Sequence, residues 1–141
     1  MGSEMCIRDR IGVDLKKDPG IIHAAYNDSA GVTASFNLNV LRRLNDELDA
    51  NFDLDGFRHE AVYDEREGRI EMRLVSLRAQ RATVAEQAID FDADEHIITE
   101  YSHKYSQEDF ETLARSAGLD PVRAWRDSRG LFSVQYLTVP G

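Results

Sequence analysis

Cysteine is almost missing from this 141-residue chain, which carries only Cys6. One thiol excludes an internal disulfide framework and suits a reducing cytoplasm. Basic charge is also scarce. Seventeen Lys and Arg face 26 Asp and Glu, for a formal net charge of -9. The basic residues are scattered, and an acidic chain repels nucleic acid phosphates and anionic membrane surfaces, so neither partner is expected. No apolar run reaches the roughly 20 residues of a membrane span, and a cytoplasmic location is expected. The four histidines, His23, His59, His96 and His103, lack metal-ligand spacing. Asp90, Asp92, Asp94 and Glu95 mimic a calcium loop, but the glycine and the closing glutamate are misplaced. No metal is expected. No internal repeat or low-complexity segment occurs, and no glycine-rich cofactor loop precedes the first strand.

What is present suffices for a domain with a real core: 42% of residues are hydrophobic and 30% charged. Residues 1–10 (MGSEMCIRDR) have neither the apolar core of a signal peptide nor the pattern of a transit peptide. They read as an atypical or non-native leader, and Cys6 within them is given no chemistry. Residues 11–15 (IGVDL) predict a buried strand of a parallel sheet. Asp18-Pro19 starts a helix carrying Ile21, Ile22, Ala25 and Tyr26. A second helix follows Asn27-Asp28-Ser29, with Val32, Phe36, Val40, Leu44 and Leu48 as one apolar stripe, and ends near Asn51. Residues 57–63 and 69–77 flank a glycine-containing turn and predict a hairpin. Shorter strands are expected at 82–85, 89–91 and 97–105. Ser106 to Asp109 resembles a capping box that opens a helix with Phe110, Leu113, Ala114 and Ala117 on one face, stopped by Gly118. Residues 122–126 and 131–139 predict a closing hairpin.

Five collinear stretches resemble one family. They are IGVDLKKDP, AAYNDSAGVTASFNLNVL, LDANFDLDGFRHEAVYDEREGRIEMRL, ITEYSHKYS, and a tail containing LARSAGL and GLFSVQYL, together running from Ile11 to Leu137. They are similar to the S-adenosylmethionine-dependent, histidine-specific methyltransferases, whose best-known activity is Nα-methylation of L-histidine in ergothioneine biosynthesis. The resemblance implies an α/β fold: the C-terminal part of a Rossmann-like class I methyltransferase with an inserted α+β substrate-recognition domain. Residues 11–16 would be a late strand of the methyltransferase sheet, 17–105 the substrate-recognition domain, and 106–141 the closing helix and hairpin. The glycine-rich loop and the ribose-binding acid of the family would lie upstream. No catalytic or cofactor-binding residue is therefore expected here, and the segment alone is expected to be inactive.

The resemblance also implies a substrate-binding set. Tyr26 matches a tyrosine whose hydroxyl binds the substrate carboxylate. Glu100 and Ser102 match a pair that grips the imidazole: a carboxylate accepts from one ring N–H and a hydroxyl serves the other nitrogen. Met72, in EGRIEM, would shape the pocket beside the ring. Read from pattern alone, Tyr26 is a core tyrosine on an amphipathic helix, and Met72 is core beside Ile70 and Leu74. Glu100 and Ser102, two apart, share one face of a solvated strand, while Ile97, Thr99, Tyr101 and His103 take the other. Asn37 and Asn39 are read as caps or cross-domain hydrogen bonders, and His59-Glu60 and His103 as surface or interface residues. Two alternatives stay open: a methyltransferase of the same family for another amino acid or small amine, and a non-catalytic amino-acid-binding module.

Overall fold

The computed structural model describes residues 8–139. Residues 1–7, with Cys6, lie outside the described residues. The chain divides into two compact units: one takes in the segment through Lys17 and everything from His103 on, the other is Asp18–Ser102.

The first unit is a three-stranded sheet with a helix. Its strands are β1 (Arg8–Asp14), β7 (Asp120–Arg126) and β8 (Phe132–Thr138), in the order β1-β8-β7. Both pairs are antiparallel. The strand predicted at residues 11–15 therefore exists, but it pairs antiparallel with β8 and starts earlier, since Arg8, Asp9 and Arg10 of the supposed leader face Thr138, Leu137 and Tyr136. One short parallel link remains, a bridge between Leu15 and Tyr105. Helix α3 (Gln107–Ser116) opens on a full capping box: Asp109 N–H donates to Ser106 Oγ, and the Ser106 N–H donates back to the Asp109 carboxylate. Phe110 and Ala114 bury against Val13, Leu15 and Leu137. Leu113, expected on that face, is 48% exposed.

The second unit packs two helices on a three-stranded antiparallel hairpin-based sheet. Helix α1 (Pro19–Tyr26) starts where Asp18 accepts the N–H groups of Gly20 and Ile21, with proline at the first position. Helix α2 (Val32–Leu48) follows a left-handed Gly31, a conformation that glycine adopts without Cβ strain. Its orphan N–H groups at Val32 and Thr33 donate to the Asp28 carboxylate. It ends at a left-handed Asp49, three residues before expected. Strands β2 (Phe57–Asp64) and β3 (Arg69–Ser76) form the predicted hairpin, and β6 (His96–His103) lies on the far side of β3. Strands β4 (Gln80–Val84) and β5 (Gln87–Phe91) form a separate hairpin. Its two-residue turn, Ala85-Glu86, has positive φ at both positions, the geometry of a twisted two-residue hairpin.

Helix α2 does not bury the face that its periodicity predicts. Val32, Phe36, Val40 and Leu48 are exposed, Phe36 at 63%. Leu41 is buried instead, with Phe52, Phe57, Leu74, Ala82 and Phe91, and Leu38 and Leu44 flank it. A strict four-residue spacing advances about 40° per step beyond a full turn, so five such residues wind about 160° around a helix. They cannot all face one core. The second cluster of this unit joins Ile22 of α1 to Ala61, Ile70 and Met72, with Tyr26 and Tyr63 packed against it. Ile70, Met72 and Leu74 alternate along β3 and meet both helices, so α1 and α2 cover the same face of the sheet.

Candidate functional site

The site is built around the C-terminal end of α1. Asn27, which caps that helix, uses its side-chain amide as a strand neighbour: Nδ2 donates to the Ala61 carbonyl at 2.9 Å, and Oδ1 accepts from the Ala61 N–H at 2.9 Å. The last turn of α1 is thereby fixed to β2. Tyr26, one residue earlier, lays its ring on the apolar cluster of Ile22, Ala61, Ile70 and Met72. Its hydroxyl shares a hydrogen bond with Ser102 Oγ at 2.8 Å. Buried tyrosine hydroxyls require such a partner. Tyr26, Met72 and Ser102 are thus gathered beside one face of the sheet, and Met72 is 3% exposed.

Glu100 is exposed and is not part of that cluster. The expectation that Ser102 lies opposite Ile97, Thr99, Tyr101 and His103 is corrected for Ile97 and Thr99 by the contacts. Ile97 packs on the core of the helix-covered face. Thr99 Oγ1 donates to Asn37 of α2, and Ser102 meets Tyr26 of α1, so both reach that same face. Tyr101 lies on the other side, its ring 4.0 Å beneath the guanidinium of Arg69. The period-two alternation breaks between Thr99 and Ser102, where Glu100 and Tyr101 are exposed in succession.

A buried polar chain supports this region, and the sequence reading missed it. Asn37, read as a cap or a cross-domain contact, sits inside α2 at 1% exposure. Its Nδ2 donates to the Arg73 carbonyl at 3.0 Å and to His59 Nδ1 at 3.0 Å, while Oδ1 accepts from Thr99 at 2.6 Å. His59, read as a surface or interface residue, is half-buried, and its Nε2 donates to the Tyr26 carbonyl at 2.8 Å. An asparagine among the apolar positions of a helix is an unfavourable helix former and a costly buried group. That anomaly was the available signal.

Charged groups lie elsewhere. On the face of β3 opposite Ile70 and Met72, the buried Glu71 accepts from Arg69 at 3.0 Å and from Arg73 at 2.7 Å. Hydrogen bonds from Arg73 and then Arg69 hold its carboxyl below the usual range. In the other unit, Asp14 at the end of β1 accepts from Lys17 and from Lys104. The Lys104 side chain is fully buried and its ammonium lies 2.9 Å from Asp14. Burial pushes the Asp14 carboxyl up, but the bonds from Lys17 and Lys104 outweigh it and leave it below its ordinary value.

The model of one family, described as histidine-specific methyltransferase, SAM-dependent, matches residues 10–139. The chain belongs to that family. Among its relatives, the histidine N-alpha-methyltransferase of Mycolicibacterium smegmatis is 44% identical over 126 residues, covering 88% of this chain and 39% of the relative. The histidine N-alpha-methyltransferase of Mycobacterium tuberculosis is 42% identical over the same shares. Ergothioneine biosynthesis protein 1 of Neurospora crassa is 36% identical, over 82% of this chain and 13% of its own length. The chain thus spans about two fifths of the length of the bacterial relatives. The segment is a mixed α/β chain, and no helix among the described residues is long and apolar enough to cross a membrane. Its described residues contain no strand–glycine-loop–helix turn of the kind that cradles a nucleotide.

Proposed function

We propose that residues 18–102 form the histidine-recognition unit of an S-adenosylmethionine-dependent enzyme that methylates the α-amine of L-histidine. The observation that carries this reading is the union of the family match with the Tyr26–Ser102 contact, which brings two expected substrate contacts to one place on an apolar floor containing Met72. On this reading Ser102 and Glu100 take the imidazole nitrogens, Tyr26 takes the substrate carboxylate, and Met72 lies against the ring. In the free chain the two hydroxyls satisfy one another. Histidine inserts between them and replaces one hydrogen bond with several.

Such a grip selects the substrate through a donor–acceptor pattern matched to the two imidazole nitrogens. It also fixes the amine in one orientation, which is the larger part of what a positioning site contributes to a transfer reaction. The remaining unit fits the same reading. A strand order of β1-β8-β7, with α3 ahead of β7, supports reading this unit as the closing part of a Rossmann-like class I methyltransferase sheet into which 18–102 would be inserted.

The test uses the full-length protein with S-adenosylmethionine and histidine, with tryptophan and tyrosine as competitors. Methylation should be specific to histidine. Glu100→Ala should raise the histidine KM by an amount equivalent to roughly 1–3 kcal/mol, because an imidazole N–H loses its acceptor. A Glu100→Ala enzyme with unchanged histidine kinetics would refute the assignment, and preference for tryptophan or tyrosine would move the enzyme to another substrate.

A further inference from the structure

We infer that Asn37 and His59 are positioning residues that hold both ends of the histidine grip in register, an inference that rests on the substrate-binding reading of Tyr26, Glu100 and Ser102. Neither residue is among the expected contacts. Both are explained by what they connect.

Asn37 is a single helix side chain bonded to all three strands of the sheet. It reaches β2 through His59, β3 through the Arg73 carbonyl and β6 through Thr99. A primary amide has two N–H donors and one carbonyl oxygen. Both donors and the oxygen are used here, so replacing it leaves buried groups unpaired. Its orientation follows from the partners. The Arg73 carbonyl can only accept, so Nδ2 faces Arg73 and His59, and Oδ1 faces the Thr99 hydroxyl.

That orientation dictates the state of the His59 ring. Nδ1 accepts from Asn37, so the ring proton sits on Nε2, which donates to the Tyr26 carbonyl. A helix leaves its last carbonyls without internal partners, and His59 supplies one to the final residue of α1. Two residues along β2, Ala61 pairs with Asn27. The backbone that carries the Tyr26 ring is therefore clamped at two consecutive positions. On the other branch, Thr99 is the residue immediately before Glu100, where the strand alternation breaks. Its hydroxyl is held by Asn37 Oδ1 at 2.6 Å and lies 3.1 Å from the Met72 carbonyl. One amide thus fixes the tyrosine through His59 and the acid–alcohol pair through Thr99. A displacement of about 1 Å at such a site is enough to cost a large factor in rate or affinity.

The test uses the full-length protein. His59→Phe keeps the ring volume and removes both hydrogen bonds. The expected result is a rise in histidine KM of about ten- to a hundredfold, with the S-adenosylmethionine KM unchanged. His59→Gln, whose amide can still donate to the Tyr26 carbonyl, should recover most of the loss. In the unmodified protein labelled with nitrogen-15 in its histidine rings, His59 should show an unprotonated Nδ1, and its Nε2 signal should shift on saturation with L-histidine. Unchanged histidine KM in His59→Phe, equal losses in both KM values, or a proton on Nδ1 would each overturn the inference. Should His59→Phe fail to fold, the ring spectrum decides: the absence of a histidine-dependent Nε2 shift overturns it. If the unmodified protein does not use histidine at all, the substrate reading fails, and the Nδ1 signal reports separately on the network.

Discussion

The hydroxyl of Tyr26 lies 2.8 Å from Oγ of Ser102, across 76 residues of sequence. This one bond ties the end of α1 to the C-terminal end of β6. A double-mutant cycle with Tyr26→Phe and Ser102→Ala should give a coupling of about 0.5–1.5 kcal/mol in the stability of the unliganded chain. If histidine replaces that bond, the same cycle measured at saturating histidine should give a smaller coupling. Equal coupling with and without ligand would mean that the pair is only structural.

The buried face of α2 makes a second prediction. Leu41→Ala should destabilise the chain by about 2–5 kcal/mol, because the surrounding aromatic cluster of Phe52, Phe57 and Phe91 cannot collapse into the gap. Phe36→Ala on the same helix, at a site 63% exposed, should change stability by no more than about 0.5 kcal/mol. Urea unfolding of the two variants checks this. Comparable losses would restore the four-residue stripe as the core face.

Local signals were legible in the sequence wherever one residue type has one job. Asp18-Pro19 starts α1, the Ser106 capping box starts α3, and the glycine-bearing turn joins β2 to β3, as their chemistry requires. Signals failed where tertiary contacts choose among similar options. The α2 stripe names several apolar residues but not which arc meets the sheet. The β4–β5 turn uses Ala85-Glu86 in place of the Asn-Gly or Asp-Gly that would have announced a hairpin. The successive exposure of Glu100 and Tyr101 is invisible to a period-two reading, because it is set by what packs against the strand. For the site, resemblance supplied Tyr26, Met72, Glu100 and Ser102, while the Asn37–His59–Thr99 chain needed the three-strand geometry to be recognised.

A third prediction concerns the ion cluster at the end of β1. Lys104 is the most enclosed charge among the described residues, whereas Asp14 keeps partial exposure and a second partner in Lys17. Removing the carboxylate takes the Asp14 counter-charge from a buried ammonium, a defect that reaches the order of 3–5 kcal/mol for a broken buried pair, while removing the lysine leaves a partly exposed carboxylate that Lys17 still serves. Asp14→Asn should therefore destabilise more than Lys104→Met in thermal unfolding at neutral pH. The reverse order would show that the lysine, not the pair, carries the stability.

Acid should weaken α2 at its first turn. Backbone N–H of Thr33, the Thr33 side chain and the Val32 N–H hydrogen-bond the Asp28 carboxylate and lower its pKa from 3.8 to about 2. A carboxyl whose folded pKa is depressed contributes its stability above the unfolded value, and that contribution disappears as pH falls through the folded one. The contribution of Asp28 should thus be complete above pH 3.8 and vanish toward pH 2. Asp109, lowered to about 2 by the Lys16 ion pair and the Ser106 capping bonds, should act in the same window at the start of α3. Asp28→Asn keeps a side-chain oxygen for the cap but cannot titrate. Its melting temperature should be lower than that of the unmodified chain at pH 7, because one oxygen replaces two, and the difference should shrink steadily between pH 4 and pH 2. Melting curves at half-unit steps measure that convergence. A difference that stays constant across the window would mean that the Asp28 carboxylate is no more stabilised in the folded chain than in the unfolded one.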